Sequence, residues 1–363
     1  MFTRINRRGD KLSKLDRFLV SEDTASYLTD YAAQVIECHI SDHRPIILSP
    51  SSMDFGHTPF KFYNSWLLDN EFHTIVSDFW EHYVMENGIN PIVRFKSKMK
   101  ALKSIIKTWS RNRSSSQSRE KEENLDISQK AKVKWDIEAD ENYKFFHAII
   151  NQKRRYLSIH GINHEGIWLS NPQDIKDSFH SFFESKFKKV EAAKVVSRSQ
   201  FYKTVQPDQN VFLTSVITEA EIREAVWDCG SDKSPEPDGF TFAFYKKFWD
   251  MIKVDVVAFV QAFFNTSTFP RGCNASFVAL IPKGPNPMVI SDFRPISLIG
   301  AQYKIIAKVM ANRLAQVIDS VISHEQSAFI KHRQILDGPL MVNEVIKWCQ
   351  RKKSKLMVFK IDF

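Results

Sequence analysis

Apolar side chains fall three and four residues apart in several stretches of the chain, the spacing of a helix with one buried face. Within 94–113 they are Met99, Leu102, Ile105, Ile106 and Trp109; after Asn171-Pro172, a favourable helix start, they are Phe179, Phe182, Phe183 and Phe187. Thr218 and Glu221 have the spacing of a capping box for a helix that Gly230 stops, and a further long helix is predicted over 241–264 before the turn NTSTFP. From 302 to 322, Ile305, Ile306, Val309, Met310, Leu314, Val317, Ile318 and Val321 keep helical spacing, with Arg313 and the lysines predicted to point outward. Strand-type runs are DRFLV (16–20), RPIILS (44–49), SFVALIP (276–282) and the final KLMVFKIDF (355–363). The polar run 114–130 reads as a linker or exposed helix. Mostly helix with a few short strands, the pattern predicts a mixed α+β fold.

Composition narrows this picture only modestly. At 363 residues and 43% hydrophobic the chain has enough apolar material for a core and the length of two or three domains. A formal charge of +9 favours polyanionic partners. That charge is concentrated in 94–113, where Arg94, Lys96, Lys98, Lys100, Lys103, Lys107, Arg111 and Arg113 occur with no acidic residue. Such a face either grips a polyanion or is simply solvated, and the pattern leaves both open. Cys38, Cys229, Cys273 and Cys349 are too scattered for a zinc site or a disulfide framework. The longest apolar run, VDVVAFVQAFF, is interrupted by polar residues and shorter than a membrane span, and no apolar segment follows the basic N-terminus, so an intracellular protein of nucleus or cytoplasm is expected.

No phosphate-binding glycine loop, zinc-protease helix or nucleophile elbow is present, which removes the commonest enzyme classes. Lys283 at a strand end and Arg294 after a short loop could converge on phosphates, although lysine–arginine pairs of this kind are mostly solvated. Asp362 is harder to explain structurally. An ionised carboxylate flanked by Ile361 and Phe363 on a half-buried strand costs several kcal/mol unless it is paired or binds a metal, which makes it a candidate Mg²⁺ ligand.

The ordered motifs SPEPDGF (234–240), FVALIPKG (277–284), DFRPISLIG (292–300), EQSAFIKHRQILDG (325–338) and KLMVFKIDF together resemble the reverse transcriptase of LINE-type non-LTR retrotransposons, most closely the plant members. The resemblance implies the fingers and the first palm strand of a right-hand polymerase over 216–363, preceded by a mostly helical connector over 56–215. It implies an RNA template, a DNA primer or target, no membrane, and Mg²⁺ held by aspartates of which Asp362 is the first. Lys283 and Arg294 then face the incoming nucleotide's phosphates. Because the 363 residues contain none of the later polymerase aspartates, the resemblance also implies that this chain does not polymerise; a non-catalytic RNA- or DNA-binding protein is the alternative.

At the other end, KLDRFLVS (14–21) and SDHRPI (41–46) resemble the last two motifs of the endonuclease/exonuclease/phosphatase-like nuclease that precedes the polymerase in those elements. By that resemblance 1–55 is the tail of an α/β sandwich whose other metal-binding residues lie upstream, with Asp16 orienting His43 and Asp42 beside the metal-bound phosphate. Three positions depart from the polymerase-associated motifs: Ala139, Glu236 and His332 stand where glycine is usual, so any of these turns that needs a positive φ is strained.

Overall fold

The computed structural model describes residues 3–5, 12–13, 15–21, 24, 31–35, 41–50, 56, 59–86, 88–112, 126, 129, 152–153, 156–188, 203–231, 233, 235–284, 287–323, 326–330 and 332–358. Near the N-terminus, β1 (Arg4–Ile5) pairs antiparallel with β2 (Leu12–Ser13), and β3 (Tyr31–Val35) pairs antiparallel with β4 (Ile46–Pro50). DRFLV does not form the expected strand. The N–H groups of Leu15 and Asp16 are taken by the Thr3 hydroxyl, 3.0 and 2.9 Å away, in place of ladder partners, and Leu19 is left 93% exposed.

The main core is helical and draws on distant parts of the sequence. A short 3-10 turn (Asn64–Leu68), α1 (Asn70–His82) and α2 (Pro91–Asn112) pack with α5 (Glu219–Trp227), α6 (Phe242–Lys247), α7 (Trp249–Thr266) and α8 (Ala301–Val321). Phe62, Trp66, Phe72, Phe240, Phe244 and Phe248 form its aromatic centre, with ring centroids of Phe62 and Phe244 5.5 Å apart at 71°. Each such ring, fully buried, contributes about 1.5–3 kcal/mol. Between these elements, α4 (Pro207–Thr214) begins with proline at its first turn.

Sequence periodicity does not anticipate the division of 241–264 into two helices. Phe248 sits at φ −102°, ψ 19°, with its N–H still bonded to the Phe244 carbonyl at 3.1 Å, so the chain turns without losing its hydrogen bonds. The bend puts Phe244 against Phe62 and Phe248 against Phe72, and this ring packing outranks straight continuation. Arg313 also differs from expectation. It is 5% exposed, inside α8's packed side, because Glu221 and a row of carbonyls satisfy its guanidinium.

The SPEPDG turn joins two halves of this core. Gly239 has φ +94°, and a Cβ there would lie 2.4 Å from the Phe60 ring and 2.7 Å from its carbonyl oxygen, so only glycine fits. The carbonyl of Gly239 accepts the Phe62 N–H at 2.8 Å. Glu236 is not among the described residues with positive φ; it has exchanged glycine's freedom for a 2.6 Å ion pair with Lys304 of α8. His332 does occupy the left-handed region, at φ 68°. A His332→Gly variant should therefore gain about 0.5–1 kcal/mol in chemical unfolding, the left-handed penalty less glycine's larger unfolded entropy; Ala139 lies outside the described residues.

A second, smaller core supports the C-terminal hairpin. The hairpin of β5 (Ile162–His164) and β6 (Ile167–Leu169) packs with α3 (Pro172–Phe187) against β7 (Ser276–Pro282) and β8 (Phe293–Ile299) through Ile162, Ile175, Phe179, Ile290 and Phe293. Asn171 caps α3 by accepting the Gln173 N–H, as the Asn-Pro start predicts. The last described helix, α9 (Asp337–Lys352), is exposed along most of its length. No helix among the described residues is long and apolar enough to cross a membrane.

Candidate functional site

The β7–β8 hairpin carries the two cations singled out in the sequence. Its register pairs Ile281 with Arg294 and Pro282 with Phe293, and the Lys283 N–H continues the ladder to the Asp292 carbonyl at 2.7 Å. Side chains alternate across a strand, so Lys283 and Arg294 share one face as diagonal neighbours, about 7–8 Å apart at the backbone. Phe293 and Leu280 of the opposite face belong to the second core. That packing decides which way Arg294 points: a one-residue slip would bury Arg294 and expose Phe293. Both cations are exposed, and Phe277, Ile296 and Leu298 extend the same face as a half-open apolar strip.

The connection between the strands is pinned by Asp292. Its carboxylate accepts the N–H groups of Met288 and Val289 at 2.8 and 3.1 Å, which, with the nearby Lys283 charge, lowers its pKa below the ordinary range. This short turn holds Lys283 at the mouth of the hairpin. Asp292 beside Lys283 offsets part of its charge, and the face can bind phosphate groups bidentately through Arg294 and as a point charge through Lys283.

At the N-terminus the structure brings Asp16 and His43 together. His43 Nδ1 lies 3.1 Å from Asp16 Oδ2 and 3.3 Å from Oδ1. The Thr3 hydroxyl, ahead of His43, lowers the Asp16 pKa. The contact is on the surface, with the two side chains 45% and 36% exposed, and is held in place by β1: the Thr3 carbonyl accepts the Arg44 N–H at 2.7 Å. Asp42 beside it is paired with Arg4 at 2.9 Å, and that bond lowers its pKa. An Asp–His pair of this geometry can orient one imidazole nitrogen and leave the other for proton transfer or phosphate contact.

Asp362 lies outside the described residues, and among the described residues no group of three or more His, Cys, Asp or Glu side chains could hold a metal ion. Two features were not singled out as site residues in the sequence, the first being Asp238 within the SPEPDGF motif. Asp238 is half-buried, bonded by the Phe240 N–H at 3.0 Å and the Tyr245 hydroxyl at 3.4 Å, and the Ala301 N–H at the start of α8 also stabilises its charge. The other is the use made of α2's basic face. Lys98 and Arg94 meet Asp255 of α7 at 3.0 and 3.6 Å, Lys98 also lies 4.0 Å from the Trp80 ring centroid, Lys96 donates to the Gly272 carbonyl, and Lys103 and Lys107 sit over Phe60. These cations dock α2 onto the core.

Residues 281–363 match the family model for reverse transcriptase (RNA-dependent DNA polymerase). That segment is similar to reverse transcriptases. The matched segment begins at the end of β7, so both cations of the hairpin belong to the reverse transcriptase-related part. The "Transposon TX1 uncharacterized 149 kDa protein" of Xenopus laevis is 27% identical over 226 residues, 61% of this chain and 17% of that relative. This likeness is longer than the family match and therefore reaches upstream of residue 281. The chain spans about a sixth of the length of that relative.

Proposed function

We propose that this chain is a segment of a LINE-type transposon polyprotein of plant type, with the tail of an endonuclease over 1–55 and the N-terminal part of a reverse transcriptase over 216–363. The observation that carries the reading is the match of 281–363 to reverse transcriptases over the hairpin that sets Lys283 and Arg294 on one exposed face. In this reading those two side chains bind the phosphates of an incoming nucleotide opposite an RNA template. Mg²⁺ would supply charge stabilisation at the transferred phosphoryl group, with Asp362 as one ligand. Asp16 and His43 are the corresponding remnant of the nuclease, and Asp42, engaged by Arg4, is its third residue.

The engagement of Arg94, Lys96, Lys98, Lys103 and Lys107 within the protein bears on the alternative reading. It weakens α2 as the binding surface of a purely nucleic-acid-binding protein. The hairpin is the better candidate for phosphate contact.

The test is an RNA-templated, DNA-primed duplex presented to the 363-residue chain with Mg²⁺ and deoxynucleotides. The expected outcome is binding that weakens steeply with salt, without primer extension. A Lys283→Ala/Arg294→Ala double variant should lower the affinity of the bound complex for the deoxynucleoside triphosphate while leaving the duplex affinity and its salt dependence nearly unchanged. Primer extension by the chain would overturn the proposed inactivity; no binding at low salt would overturn the nucleic-acid reading.

A further inference from the structure

The loop between α8 and α9 holds the most exposed large apolar side chain described, Phe329, at 95%. Its backbone is in the left-handed region, φ 63°, as is that of His332 three residues on, φ 68°. A bulky residue avoids this conformation, and one that keeps it while burying nothing is a position where the surrounding structure imposes the geometry. The imposing group is Arg333. Its guanidinium donates to the carbonyls of Ser323 and Gln326 at 2.6 and 2.7 Å and to Asp319 of α8 at 2.6 Å, and its N–H bonds the Ile330 carbonyl at 3.1 Å. Gln326 adds a bond from Nε2 to the Ala328 carbonyl at 3.2 Å. Ser327, Ala328 and Ile330 are half-buried, so the clamp turns the loop's other side chains inward and the phenyl ring outward.

From this geometry we infer that Phe329 is a stacking platform for an unpaired nucleobase, making the α8–α9 loop a contact for single-stranded RNA or DNA. A rigidly presented, solvated aromatic ring gains stacking free energy from any base, independent of sequence. Charge complementarity for the adjoining phosphates comes from the chain's formal charge of +9. Arg333 is excluded from that role, since Asp319 and the loop carbonyls occupy it; it is a positioning residue. The inference rests on the proposed nucleic-acid function and assigns a contact outside the Lys283–Arg294 face.

The full chain is titrated against a fluorescent mixed-sequence single-stranded RNA of 20 nucleotides, alongside Phe329→Ala and Phe329→Trp. Loss of stacking in Phe329→Ala should weaken binding on the order of tenfold with an unchanged salt slope, because no phosphate contact is removed. Phe329→Trp should restore the affinity, and the emission it adds to that of the native chain's eight tryptophans should be quenched on addition of RNA. An unchanged melting temperature for Phe329→Ala, expected for a ring that buries nothing, separates contact from folding. Equal affinities of the native and Phe329→Ala chains overturn the inference while leaving the proposed function standing; absence of binding by the native chain overturns both. Indole emission that shifts to the blue with protein concentration in the absence of RNA identifies a second copy of the chain as the occupant and likewise overturns it.

Discussion

Arg313→Ala is expected to destabilise the protein by about 3 kcal/mol, the low end of the range for removing one member of a buried charge pair, because the Glu221 side chain is 26% exposed. The guanidinium contacts Glu221 through Nε at 2.6 Å and through Nη2 at 3.1 Å, and its remaining hydrogens go to the carbonyls of Leu213, Ser215 and Val216. It thereby ties α8 to the capping box of α5 and to the end of α4. Truncation strands Glu221 and leaves these carbonyls without their donor. Arg313→Lys should recover little, since one ammonium cannot reproduce the planar fork. The Arg313 bond is the first cause of the Glu221 pKa falling to about 2 from 4.5. A carboxyl depressed in the folded state stabilises it fully above 4.5, and that contribution is lost as pH falls through about 2. Urea titrations from pH 6 to pH 2 should thus show an acid-dependent loss in the native protein that is much shallower in Arg313→Ala. Equal acid slopes would sink this assignment.

The second large effect concerns Asp238 and has the opposite sign. Burial, only partly offset by the N–H groups of Phe240 and Ala301, raises its pKa from 3.8 to about 6, and Glu236 adds to the rise. The folded protein binds this proton more tightly than the unfolded chain. Stability is therefore fully present below about 3.8 and is lost as pH rises through about 6, by up to about 3 kcal/mol in all. Asp238→Asn keeps an acceptor for the Phe240 N–H and removes the titration. Its stability should be flatter between pH 4 and pH 7, and above pH 7 it should exceed the native protein's. Burial raises the Tyr245 phenol well above its ordinary pKa, so it remains a donor to Asp238 throughout this window. Matching pH profiles for the two proteins would show that Asp238 does not titrate in this range.

Local sequence signals found the elements whose determinants are local. Asn171-Pro172, the Thr218–Glu221 box and the SFVALIP strand reappear with the bonds their chemistry predicts, and helix periodicity located α2 and α8 to within a few residues. Long-range partners were not visible there. An arginine on an apolar helix reads as outward-facing until Glu221, 92 positions away, is placed beside it. Likewise the lysines of α2 read as a polyanion-binding face until Asp255, Trp80 and Phe60 are brought to them. DRFLV has strand-forming residues, yet a single hydroxyl, Thr3, takes the N–H groups at its start. The Lys283–Arg294 face was anticipated as a convergence of two cations, but its orientation depends on Phe293 packing with Ile162 and Phe179, residues more than a hundred positions earlier.

The division of the main core between 60–109 and 217–309 also sets the order in which it can form during synthesis. Gln302 of α8 bonds the Ile92 carbonyl across 210 positions, and Phe95 meets the Phe259 ring at 5.0 Å. At ribosomal rates of roughly 5–20 residues per second, α2 emerges about ten to thirty seconds before α7 is complete. For that interval Ile92, Phe95, Met99, Leu102 and Ile106 have none of their α7 and α8 partners. The nascent chain thus carries an apolar helix covered only on its α1 side through much of its translation, a natural client surface for ribosome-associated chaperones.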